Sequence, residues 1–170
     1  MLYSARFYRG AVILVIGISA ALPLASMLLS DSVTSSKQEK AADPWTIEQV
    51  LQPAELVHDL GTDEGSSAPT IIYVGFRTLF EGAHIPGATF HGTASNEDGL
   101  ANLKKWTAAL PRSANLVIYC GCCPFNRCPN IRPAYKALHE MGFTHLRILA
   151  LPTSFAADWV EKGYPIQKGL

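Results

Sequence analysis

Residues 116–130 read LVIYCGCCPFNRCPN, and this stretch holds all four cysteines of the chain: Cys120, Cys122, Cys123 and Cys128. The apolar, β-branched run from Leu116 to Tyr119 has the composition of a strand buried on both faces. Beyond the cysteines, Ile131, Ala134, Leu138 and Met141 recur at helical spacing. Asn130 is placed to cap that helix, Pro133 sits in its first turn, and Gly142 closes it. The cysteines therefore fill a strand-to-helix loop, and open parallel sheets bind their ligands at such loops.

Working outward, Ile71 to Val74 and Leu146 to Leu149 read as two further strands. Thr46 to Val50 and Pro53 to Leu60 read as short helical pieces, the second begun by its proline and stopped by Gly61. Residues 84–88, HIPGA, mark a turn. Leu100, Leu103, Trp106 and Leu110 give another helix that ends at Pro111. Thr153 or Ser154 caps a last helix carrying Phe155, Ala156, Trp159 and Val160, with Gly163 at its end. Strands alternating with helices predict an α/β domain, a mainly parallel central sheet with helices on its faces.

The amino-terminal residues differ in kind. Arg6 and Arg9 precede an apolar run from Ala11 to Leu29, which suits a cleaved signal peptide or an N-terminal membrane anchor. Residues 1–30 are read as that leader, 31–44 as a polar linker, and 45–170 as the folded domain. Positive charge before the run and Asp31 after it place the domain outside the cytoplasm, periplasmic or secreted, or anchored at the inner membrane. Fourteen basic residues balance fourteen acidic ones, so no charged field recruits nucleic acid.

Three stretches together resemble a rhodanese-like domain in its single-module form. Tyr73-Val74-Gly75, Phe80 and His84-Ile85-Pro86-Gly87-Ala88 resemble the family's strand ending Asp-Val-Arg, its aromatic and its Gly-His-Ile-Pro-Gly-Ala. Val117-Ile118-Tyr119-Cys120 resembles the strand that delivers the reactive cysteine, and Gly142-Phe143 to Leu149, Trp159 and Gly163-Tyr164-Pro165 resemble the closing elements. The chain departs from the family at Tyr73 and Gly75, where Asp and Arg are usual, at Leu79, at Ala83, and in the missing glycines near Thr153 to Phe155. Its cysteine loop is also longer, with four thiols and the prolines Pro124 and Pro129.

The resemblance implies a three-layer sandwich and a sulfurtransferase, of the kind that loads sulfane sulfur from a small donor anion such as thiosulfate onto a cysteine and passes the persulfide to a thiol acceptor. That chemistry needs a thiolate, which a helix amino terminus and inward N–H groups stabilise. Cys120 has the position, at the strand end, and is favoured as the nucleophile because the strand fixes where its side chain points. Cys122 has the family's interval to Arg127, four intervening residues against six from Cys120. Arg127 supplies a cation for an oxyanion donor, Arg132 can assist it, and Gly121 and Cys123 complete the binding loop. The prolines lack N–H groups and thin the cradle. No cofactor is implied. Two other readings use the same residues: a metal-binding module in which four thiolates hold a soft ion such as Zn²⁺ or Cu⁺, and a non-catalytic fold with structural disulfides, Cys120 to Cys123 and Cys122 to Cys128. A related phosphatase loop is a further alternative, opposed by the prolines. Thiol redox chemistry, one cysteine resolved by its neighbour as a disulfide, stays within the sulfurtransferase reading. His84 ties down its turn by hydrogen bonding, and Trp106 and Trp159 pack in the core.

Overall fold

Val117 and Tyr119 turn to one face of their strand while Leu116 and Ile118 turn to the other, and all four are fully buried. A strand with two apolar faces needs a layer of helices on each side, and the computed structural model, which describes residues 42–61 and 68–170, shows that arrangement. The strands are β1 (Val50–Leu51), β2 (Thr70–Tyr73), β3 (Thr89–Phe90), β4 (Asn115–Tyr119) and β5 (His145–Leu149). They form one parallel sheet in the order β1-β5-β4-β2-β3. β4 lies at the centre, with Ile118 in register with Ile72 on one side and Ile148 on the other. The two-residue edge strands leave little free ladder for unwanted pairing.

The helices are α1 (Pro53–Gly61), α2 (Arg77–Gly82), α3 (Glu97–Thr107) and α4 (Ile131–Glu140). Ile72, Leu116, Ile118 and Ile148 pack beneath α3 and α4 with Leu103, Ala134 and Leu138. On the opposite face Ile71, Val117, Tyr119 and Leu149 pack with Leu56 of α1, Phe80 of α2 and Trp159. Truncating any one of these buried aliphatic chains to alanine costs about 2–5 kcal/mol, because a void is left as well as lost transfer energy. Trp159 is wholly buried and donates its indole N–H to the Pro165 carbonyl at 2.8 Å, so the closing segment stays closed over the core.

Several local expectations are corrected. Thr46 to Val50 is a 3-10 turn, Ile47–Gln49, leading straight into β1, which is too short to show a period. α2 and β3 carry too few residues to be read from pattern. The last helix is a π-helical segment, Ala156–Val160, with Phe155 at its cap position; the Ser154 hydroxyl just before it accepts the Ala157 N–H at 3.2 Å. The leader and residues 31–41 of the linker lie outside the described residues. Among the described residues no helix is long and apolar enough to cross a membrane.

Between β2 and β4 the crossovers part, since the chain runs from β2 outward to β3 and from β4 the other way to β5. A parallel sheet opens a crevice at such a point, beyond the carboxyl ends of its strands. Cys120 follows β4 there.

Candidate active site

β4 ends at Tyr119 and hands the chain to Cys120, 2% exposed. Gly121 then takes φ +73°, and a Cβ there would meet the Phe155 Cβ at 2.6 Å, so only glycine fits. Its carbonyl accepts the Phe155 N–H at 3.0 Å, tying the loop to the π-helical segment. A 3-10 turn, Phe125–Arg127, follows; Phe125 N–H donates to the Leu151 carbonyl at 3.1 Å and Cys128 N–H to the Phe125 carbonyl at 3.3 Å. Cys128 is thereby delivered to the amino terminus of α4, and the N–H groups of Asn130 and Ile131 donate to its sulfur.

The sulfurs converge. Cys120 Sγ lies 3.1 Å from Cys122 Sγ, and Cys122 Sγ lies 3.4 Å from Cys123 Sγ. The Sγ atoms of Cys120, Cys122 and Cys128 are all within 4.8 Å of one another. All four cysteines are free, so neither expected disulfide, Cys120 to Cys123 or Cys122 to Cys128, is formed. Among the described residues these three sulfurs could together hold a metal ion, and Cys123 falls outside the group, so the set is one sulfur short of the tetrahedral shell of a structural zinc site.

Asn130 corrects another expectation. It makes no side-chain cap to α4. Wholly buried, it accepts the Ser95 N–H at Oδ1 (2.9 Å) and donates from Nδ2 to Cys120 Sγ (3.4 Å) and, more distantly, Cys122 Sγ (3.8 Å). The helix start is thus left to cap sulfur.

These contacts divide the thiols electrostatically. The hydrogen bond from the Cys120 thiol, then the Asn130 and Ile131 N–H groups, pull Cys128 down from the ordinary 9.0 to about 6 against the cost of its burial. Cys120 moves the opposite way, because its proton is held by Cys128 and its sulfur is buried. Cys123 is also raised, by burial first and then by hydrogen bonding to Cys122. The loop therefore stores its anion at Cys128, a residue that the sequence reading uses only for metal and disulfide alternatives. The signal was present: a cysteine two residues before the residue expected to cap a helix is where backbone donors gather.

Cys120 and Cys122 open onto a cleft of about 400 Å³ whose walls include Tyr73, Leu79, Ala83, Phe155, Ala156 and Val160. Cys122 is half-buried; no lysine or arginine lines this cleft. Arg127 is exposed, and among the described residues no hydrogen bond or ion pair engages its side chain. Arg132 is committed elsewhere, to Asp43 at 2.9 and 2.5 Å and over the ring of Trp45 at 5.4 Å, from where it donates to the Cys128 carbonyl at 3.4 Å. The expected anion clamp is therefore not assembled. The backbone N–H groups of Phe125, Arg127 and Cys128 are likewise used within the loop's own turns and by Leu151. A larger groove, about 810 Å³, lies at the opposite end of the sheet and contains no thiol.

The departures at Tyr73 and Gly75 are coupled. A Cβ on Gly75 would meet Tyr73 Oη at 2.4 Å and Cys120 Sγ at 2.9 Å, so the missing side chain makes room for the phenol beside the sulfur. The Tyr73 hydroxyl is buried with no hydrogen-bond partner among the described residues, and burial together with Cys120 and Cys122 raises its pKa. Across the sheet end the Tyr119 hydroxyl accepts the Ile85 N–H at 3.1 Å, and His84, stacked on Phe80, bonds through Nδ1 to the Phe80 carbonyl at 2.8 Å. That turn is held as a wall; it carries no free acid or base.

No family model matches the chain, and no curated protein matches it. Among solved structures it is similar to the Alr3790 protein of Anabaena sp., at 20% identity and TM-score 0.53, over 71% of this chain and 93% of that one. It is similar to the solution structure of the rhodanese-like domain of the same protein at 22% identity and TM-score 0.50, over 71% and 79%. It is also similar to the BH2092 protein of Bacillus halodurans, at 16% identity and TM-score 0.50, over 69% and 75%. Parallel strand order, cysteine-bearing loop and these likenesses agree, and the folded domain is rhodanese-like in fold.

Proposed function

We propose that this domain carries sulfane sulfur as a persulfide and that Cys122 is the residue that receives it. The observation that carries the reading is the half-buried Cys122 sulfur in the cleft, backed by a buried thiol at 3.1 Å and by the Cys128 sulfur within 4.8 Å of both. In the loading step the Cys122 thiolate attacks the outer sulfur of the protonated donor, R–S–SH. A new S–S bond forms on Cys122, the donor's own S–S bond breaks, and R–S⁻ leaves with the electron pair.

The walls of the cleft choose the donor. With apolar side chains and no cation in the lining, the site favours sulfur carried on an alkyl group, a small organic persulfide, over thiosulfate, whose dianionic end finds no partner. The test is sulfur loading of the reduced protein by an alkyl persulfide and, separately, by thiosulfate, read by cyanolysis and intact mass. Loading by the alkyl persulfide that disappears in Cys122→Ser supports the reading; undiminished loading in that variant contradicts it.

The amino-terminal charge pattern supports export or anchoring, so the proposed setting is extracytoplasmic. Protease accessibility of the full chain before and after the cytoplasmic membrane is broken tests this, and digestion only after that membrane is broken contradicts it.

A further inference from the structure

We infer that the persulfide on Cys122 is resolved inside the protein by Cys120, so that the domain reduces sulfane sulfur to sulfide and is left with a Cys120–Cys122 disulfide. This rests on the loading step proposed above and adds an activity to it. A simple carrier needs one exposed sulfur. Here a second sulfur, 2% exposed and hence of little use to an external substrate, lies 3.1 Å from the first. A third, that of Cys128, lies within 4.8 Å of both.

The three positions fit three roles. Once loaded, Cys122 keeps its own Sγ as the inner persulfide sulfur, the atom that Cys120 touches, and its outer sulfur points toward the open cleft. Cys120 passes its proton to Cys128, whose sulfur lies within 4.8 Å, and attacks the inner sulfur. The Cys120–Cys122 S–S bond forms, the persulfide S–S bond breaks, and HS⁻ departs. Cys122–S–SH, Cys120–SH and Cys128–S⁻ become the disulfide, HS⁻ and Cys128–SH, with hydrogen, sulfur and charge conserved. The sulfane sulfur is reduced and the two cysteines are oxidised. Sulfide is a good leaving group, and thiolate attack on a sulfur–sulfur bond is the general route of exchange. Gly121, the single residue between the two cysteines, has no side chain to oppose the closure, and its φ of +73° suits glycine alone. Asn130 Nδ2 donates to both sulfurs and holds them side by side. An external dithiol then returns the disulfide to two thiols by exchange at Cys122, the more exposed of the pair.

The experiment uses the reduced protein with an alkyl persulfide and no added thiol, and reads sulfide release and intact mass together. The wild type is expected to release one equivalent of sulfide and finish two hydrogens lighter. Cys120→Ser and Cys120→Ala are expected to stay one sulfur heavier and release none, and Cys128→Ser to resolve about 100- to 10,000-fold more slowly while the loaded form accumulates. A wild type that stays one sulfur heavier, or Cys120 variants that release sulfide as fast as the wild type, overturns internal resolution and leaves the carrier reading intact. No sulfur on any variant, and no sulfide, overturns both.

Discussion

The cysteine loop has two sides that differ in every physical respect. Toward α4 the surroundings are polar and satisfied: N–H groups of Asn130 and Ile131, the Asn130 amide and the Cys120 thiol all point at sulfur, and Cys128 is held near a pKa of 6. Toward the cleft the surroundings are apolar, with Leu79, Phe155 and Val160 and no cation. The lesson is that charge and access are separated. The sulfur that most readily loses its proton is 2% exposed, while the sulfur that a substrate can reach is half-buried in apolar walls. One cysteine performing both tasks would need its donors and its substrate on the same side.

The polar side is most directly broken at Asn130. Asn130→Ala removes, from a wholly buried position, the acceptor of the Ser95 N–H and the donor to two sulfurs; thermal or denaturant unfolding should show a loss of about 1–3 kcal/mol. A change within a few tenths would mean that the amide does not organise the loop.

On the cleft side, Gly75→Ala places a methyl against the Tyr73 hydroxyl and the Cys120 sulfur, and the overpacked site should cost about 1–3 kcal/mol. The double variant Tyr73→Ala with Gly75→Ala should recover part of the packing strain, since the first change opens the space the second needs. Strict additivity in that cycle would show that the two residues do not share the site.

A finer probe is pH. The Cys128 pKa falls from an ordinary 9.0 to about 6 in the fold, so the stability it contributes is fully present above 9.0 and disappears as pH falls through 6. His91, lowered by burial, changes stability in the same sense. The difference between wild type and Cys128→Ser isolates the thiol, and it should grow steadily from pH 6 to 9. A difference independent of pH would place the anion elsewhere.

The smallest expected effect is at Arg127. Because its side chain is exposed and outside the cleft, Arg127→Ala should change stability by less than about 0.5 kcal/mol and leave alkyl-persulfide loading unchanged. Loss of loading would restore the anion-clamp reading that the geometry disfavours.

The central strands and the long helices were legible because burial on two faces or one writes itself into sequence as runs and periods: residues 116–119, and Leu100, Leu103 and Leu138 among the helical positions. β1, β3 and α2 were not, since two to six residues carry no period and their pairing partners are distant in the chain. At the site, the loop itself and the candidates Cys120 and Cys122 could be found from order alone. The division of labour could not. Arg127 suits an anion by spacing, yet the 3-10 turn Phe125–Arg127 leaves its side chain exposed and outside the cleft. Arg132 is drawn to Asp43, which lies in the stretch read as linker. Tyr73 and Gly75 read as departures from the usual Asp and Arg, and only the contact distances show that together they fill the space beside Cys120.

The most direct measurement is the site of the arriving sulfur. Reduced Cys120→Ser protein, loaded with an alkyl persulfide, alkylated and digested, should carry its extra sulfur on Cys122 by peptide mass spectrometry. Sulfur found on Cys128 instead would contradict the separation of the stored anion from the reachable thiol.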